Sequence, residues 1–90
     1  MDEIYIENKT FGKCTVICFF RDVAIVELPR DYEKFVVTIG LSIKNNRWNR
    51  GFYCKSFKDA GVVFNNLLED FYMVSFKVWK IWDFLNLLLI

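Results

Sequence analysis

The sequence predicts an α+β domain: an antiparallel sheet of about five to six strands covered on one face by one helix, with a second short C-terminal helix. Three observations carry this. Phe35, Val37, Ile39, Leu41 and Ile43 alternate with Val36, Thr38, Gly40 and Ser42, which is the period of a strand. Two β-branched and aromatic runs, residues 13–20 and 23–28, flank the turn-forming pair Arg21-Asp22. Phe57, Ala60, Phe64, Leu67, Leu68 and Phe71 then recur at helical spacing behind Ser56.

In chain order, residues 3–7 alternate with Ile4 and Ile6 on one face, and Asn8-Lys9-Thr10 forms a turn. The acidic residues Asp2, Glu3 and Glu7 suit a solvated edge strand, where charge discourages strand addition. Lys13 to Phe20 is the second strand. Val23 to Leu28 returns with Val23, Ile25 and Glu27 on one face and Ala24, Val26 and Leu28 on the other, a near-continuous apolar run that suits burial on both faces. Pro29 cannot donate to a ladder and ends that strand, and residues 30–34 are a polar connection.

The alternation from Phe35 to Ile43 has one wholly apolar face and one mostly small or polar face, so a half-covered sheet is expected there. Residues 44–51 form a hairpin tip, and Phe52 to Lys55 is the return. Ser56 caps the helix and Asp59 favours its positive end. Lys58, Asn65, Asn66 and Glu69 are expected outward, and Gly61 allows close packing on a strand. Tyr72, Val74, Phe76 and Val78 read as a last strand, after which Val78, Ile81, Trp82, Leu85, Leu88 and Leu89 read as a helical stripe.

Ninety residues make one domain, 1–90. The apolar fraction of 54%, aromatics included, exceeds what a domain of this size needs, so the excess goes into a dense core or an interface. A net charge of +1 gives no global field toward nucleic acid or anionic membrane, so any such contact needs a local patch. Cys14 and Cys18 would stand ~13 Å apart along a strand, where a disulfide needs about 4.4–6.8 Å. With Cys54 they read as reduced thiols in a cytoplasmic setting. The apolar stretch from Ile81 to Ile90 falls short of the roughly 20 residues of a membrane span.

Catalytic chemistry is not expected. The chain has no histidine, hence no Ser-His-Asp or Cys-His set, and it carries no phosphate-binding glycine loop. No cysteine pair has zinc spacing, and Glu69-Asp70 diverge on a helix, so neither a metal nor another cofactor is expected.

Two constellations remain. The hairpin tip and its return place Lys44, Arg47, Trp48, Arg50, Tyr53 and Lys55 together as partner-binding candidates, cations interleaved with aromatic rings. That chemistry suits an acidic protein surface, where Arg and Trp are favoured contact residues, and also single-stranded nucleic acid, whose bases stack on rings. Trp79, Trp82, Leu85 and Leu89 form an apolar stripe that would serve as an oligomer interface, with a homodimer as its simplest product.

The leading expectation is a non-catalytic protein-binding module that occludes a surface of a larger protein, as a small phage or mobile-element accessory protein does to a host defence nuclease. The alternatives are a single-stranded nucleic-acid binder using the basic-aromatic hairpin and a purely structural homo-oligomer subunit. No membrane partner is expected.

Overall fold

The computed structural model of the chain describes residues 3–72. Five strands, β1 (Ile4–Asn8), β2 (Gly12–Phe20), β3 (Val23–Glu27), β4 (Phe35–Ile39) and β5 (Arg50–Cys54), are followed by one helix, α1 (Phe57–Tyr72). The strands pair in chain order as an antiparallel meander, β1-β2-β3-β4-β5. The expected α+β class is therefore what the chain forms, with five strands and one covering helix. The second helix, and the last strand beyond residue 72, lie outside the described residues. Tyr72 itself is the last residue of α1 rather than the first of a strand. No helix among the described residues is long and apolar enough to cross a membrane.

β3 is central in position and in burial: Val23, Ala24 and Val26 are 0% exposed and Ile25 2%. The two faces expected from its alternation are the two observed. Val23 and Ile25 join Val37, Cys54, Ala60 and Leu68 under α1, while Ala24, Val26 and Leu28 join Ile6, Cys14, Val16 and Val36 on the opposite side. A bulge in β2 between Val16 and Cys18 redirects the chain. Cys14 and Val16 therefore serve the far core and Cys18 the helix-side core.

α1 starts where the capping argument places it. Ser56 Oγ accepts the Asp59 N–H at 3.1 Å, and Ser56 O accepts the Ala60 N–H at 3.1 Å. The small pair Ala60-Gly61 and Leu68 are buried, and α1 packs on β3, β4 and β5. The expected stripe needs correction at three positions. Phe57 and Phe71, 40% and 51% exposed, sit at the helix ends, so their rings are only partly covered. Phe57 keeps an edge-on contact with Phe35, centroids 5.8 Å apart. Asn65, expected outward, is only 8% exposed, because it lies one turn from both Gly61 and Leu68 on the buried side.

The half-covered sheet expected at β4 is also corrected. Val36 and Thr38, on the face away from α1, are both 0% exposed. That face is covered by the chain's own loops: Phe11, Leu41 and Trp48 pack against the far core. The strand expected to run to Ile43 stops at Ile39. Gly40 takes φ +76°, and the N–H groups of Gly40 and Leu41 both go to Asp22 O, at 3.0 and 3.2 Å. The turn carries Leu41 into the far core instead of along the ladder.

Gly51 permits the loop cover on β5. A Cβ there would stand 2.8 Å from Val36 Cγ2 and 3.1 Å from Trp48 Nε1. Both neighbours are packed, so the space cannot open cheaply. Gly51→Ala should cost about 1–3 kcal/mol of stability, read as a lower urea midpoint at unchanged m-value.

Burial pushes the Cys18 thiol up from its ordinary 9.0 to about 11. Between those values the folded chain holds a proton that the unfolded chain has lost, so stability is full below pH 9.0 and falls as pH rises toward 11. Burial also raises Cys14 and Cys54. Cys18→Ala should therefore flatten this alkaline decline without abolishing it, as measured by urea unfolding across that pH window.

Candidate functional site

The tip between β4 and β5 reaches back to the first strand of the sheet. β1 is one edge, and the tip between β4 and β5 belongs to the other side of the meander. Asn46, in that tip, joins them: its Oδ1 accepts the Glu7 N–H at 2.9 Å, and its backbone O accepts Asn8 Nδ2 at 3.2 Å. A side chain thus satisfies an edge-strand donor that a sixth strand would otherwise take. Asn46 is held for this by φ 56°, a conformation Asn tolerates, inside the short loop closed by the Ser42–Arg47 bridge. On the other side of the seam, Asn8 Oδ1 accepts the N–H groups of Thr10 and Phe11 at 2.9 and 3.1 Å, fixing the β1–β2 turn.

Between turn and tip lies a groove of about 630 Å³, lined by Glu7 to Phe11, Asn45 to Trp48, and Tyr53. Its apolar wall is built from three segments far apart in sequence. Phe11 and Trp48 stack with centroids 5.9 Å apart and planes at 11°, and Tyr53 lies 6.0 Å from Phe11. Arg30 stands behind this wall. Its guanidinium carbon is 4.4 Å from the Tyr32 ring centroid, 5.3 Å from that of Phe11 and 5.4 Å from that of Tyr53. It also donates to Tyr32 O at 2.9 Å and Glu33 O at 3.1 Å. Arg30 thereby fastens the β3–β4 loop to the ring cluster, with cation–π contributions of about 0.5–2 kcal/mol each according to how dry the contact is.

The structure brings three of the six partner-binding candidates together in the groove: Arg47, Trp48 and Tyr53. Arg47 is exposed, Tyr53 is 42% exposed, and Trp48 is half-buried against Phe11. The other three stand apart. Arg50 shares the helix-side face of β5 with Phe52 and Cys54, its guanidinium carbon 5.7 Å from the Phe52 ring. Lys44 is exposed on the tip and Lys55 beyond β5, neither in the groove lining. Trp79, Trp82, Leu85 and Leu89 lie outside the described residues. Sequence reasoning missed Lys9, Phe11, Arg30 and Asn46. Of these only Asn46 had a local signal, the Asn-Asn pair in a turn.

No protein-family model matches this chain, nor does any curated protein, nor any solved structure.

Asn46→Gly keeps the left-handed backbone and removes only the side-chain acceptor. It should cost about 1–2 kcal/mol through the unmade bond to Glu7, and amide exchange at Glu7 should accelerate while exchange in β3 stays slow. Asn46→Ala should cost more, because it adds a strained φ to the same loss.

Proposed function

We propose that this chain is a non-catalytic protein-binding module that occludes a surface of a larger partner, and that its contact surface is the groove at the seam of the sheet. The observation that carries this reading is the pairing of a stacked aromatic wall with a cation that has no partner among the described residues. Phe11 and Trp48 are fixed by stacking, and Tyr53 and Arg47 stand exposed beside them. Tyr53, packed on Phe11 and Arg30, loses little side-chain freedom on binding, and Tyr and Arg are residue types that dominate contact energies. Inhibition of a host protein such as a defence nuclease is the form of occlusion this reading favours.

Nucleic-acid binding has less support from the same geometry. One face of Trp48 is already taken by Phe11, and Arg50 lies on the other side of β5, so the cations do not form one track beside the rings.

The test is affinity capture with the wild-type chain and three variants as bait, followed by titration of the captured protein. Arg47→Ala and Tyr53→Ala should each cost about 2 kcal/mol of binding, roughly thirty-fold in Kd, while Arg50→Ala stays near wild type. Equal loss from Arg50→Ala, or wild-type binding by both groove variants at unchanged urea midpoints, would sink this reading.

A further inference from the structure

We infer that the seam groove takes an acidic, extended protein segment, its carboxylates meeting Lys9 and Arg47 and its apolar side chains lying on Tyr53 and Trp48. This rests on the groove being the protein-contact surface.

The argument is the imbalance of donors and acceptors in the lining. Lys9 brings three N–H donors and Arg47 five, and neither side chain is hydrogen-bonded or ion-paired among the described residues. The Asn46 amide nitrogen adds two more, because Asn46 bonds to Glu7 and Asn8 only through oxygens. Against these stand one carboxylate, Glu7, and the amide oxygen of Asn45, whose nitrogen is engaged by Ser42. Asn8 Oδ1 is already filled by two backbone N–H groups, and the hydroxyls of Thr10 and Tyr53 each donate as well as accept. A ligand that satisfies this surface must be rich in acceptors and negative.

Two further features favour a peptide over a compact anion. Lys9 and Arg47 sit on opposite walls, the β1–β2 turn and the tip. Between them the lining carries the rings of Phe11, Trp48 and Tyr53. An anion that bridged the walls would leave the rings bare, whereas a chain with acidic and apolar side chains in alternation covers both.

The experiment is fluorescence anisotropy with three labelled probes: a twelve-residue peptide of alternating Glu and Leu, its Lys-for-Glu counterpart, and a twelve-nucleotide thymidine oligomer. The acidic peptide should bind about tenfold more tightly than the basic one. Lys9→Ala and Arg47→Ala should each weaken it about fivefold or more, and added salt should weaken it further. Arg50→Ala removes the same charge from the other side of β5 and should leave it unchanged. If the basic peptide binds as well as the acidic one and stays sensitive to Tyr53→Ala, the acidic assignment falls and the groove remains the contact surface. If no peptide binds, or Arg50→Ala weakens binding as much as Arg47→Ala, both fall. If the oligomer binds more tightly than either peptide and loses affinity with Arg47→Ala, the ligand is nucleic acid and the inference is overturned.

Discussion

The rest of the structure depends on β3 being buried on both faces. A five-residue strand with side chains at 0–2% exposure on either side needs two separate covers. Among the described residues only one of those covers is a helix. α1 takes the side of Val23 and Ile25. The other side has no second helix among the described residues, so Phe11, Leu41 and Trp48 are drawn in from loops to cover Ala24, Val26 and Val36. Each loop must then be held at a definite height over the sheet. Gly51 lets Trp48 come down, Gly40 turns Leu41 inward, and Asn8 shapes the turn that delivers Phe11. The groove is a consequence of this cover: it lies where two loops, recruited for packing, meet without merging.

How much of this was legible in the sequence follows from the range over which each signal acts. The faces of β3 and the start of α1 depend on neighbours within a few residues, and alternation and a capping serine display them directly. Position 38 shows where that reading ends. A threonine between valine and glycine reads as a half-solvated face, yet Thr38 is 0% exposed, because Gly51 pairs with it from β5 and the second cover lies over that face. Periodicity reports which residues share a face; it does not report what lands on the face. The same limit explains the extension of β4 to Ile43. The alternation continues through Leu41, but the two N–H groups after Ile39 are claimed by Asp22, a partner eighteen residues earlier in the chain at Gly40.

The candidate site was legible in composition and not in arrangement. The sequence places cations and aromatic rings close together in the tip and its return, but alternation along β5 splits them. Gly51 and Tyr53 share the face of Val36 and Trp48, while Arg50 and Phe52 face the helix side. A one-residue offset in a strand exchanges faces, so Arg50 and Tyr53, three apart, could not share a surface once β5 began at Arg50. Arg30 was hidden for the opposite reason. It sits in a segment with no periodicity, and its significance comes entirely from Phe11 and Tyr53, each about twenty residues away.

Closure by a side chain rather than by a strand also explains why the surface lies where it does. A sixth ladder would have filled the seam with backbone bonds and left no lining. Asn46 instead supplies one acceptor to Glu7 and one to Asn8, enough to hold the tip against β1 at a single point. Beside that point the groove opens between the tip and the β1–β2 turn. The stacked pair of Phe11 and Trp48 belongs to the core on one side and to the groove on the other. The wall of the groove is therefore anchored in the core beneath it, and Tyr53 stands exposed while still packed against Phe11 and Arg30. An anchored base with exposed residues beside it is what the proposed binding by surface occlusion draws on.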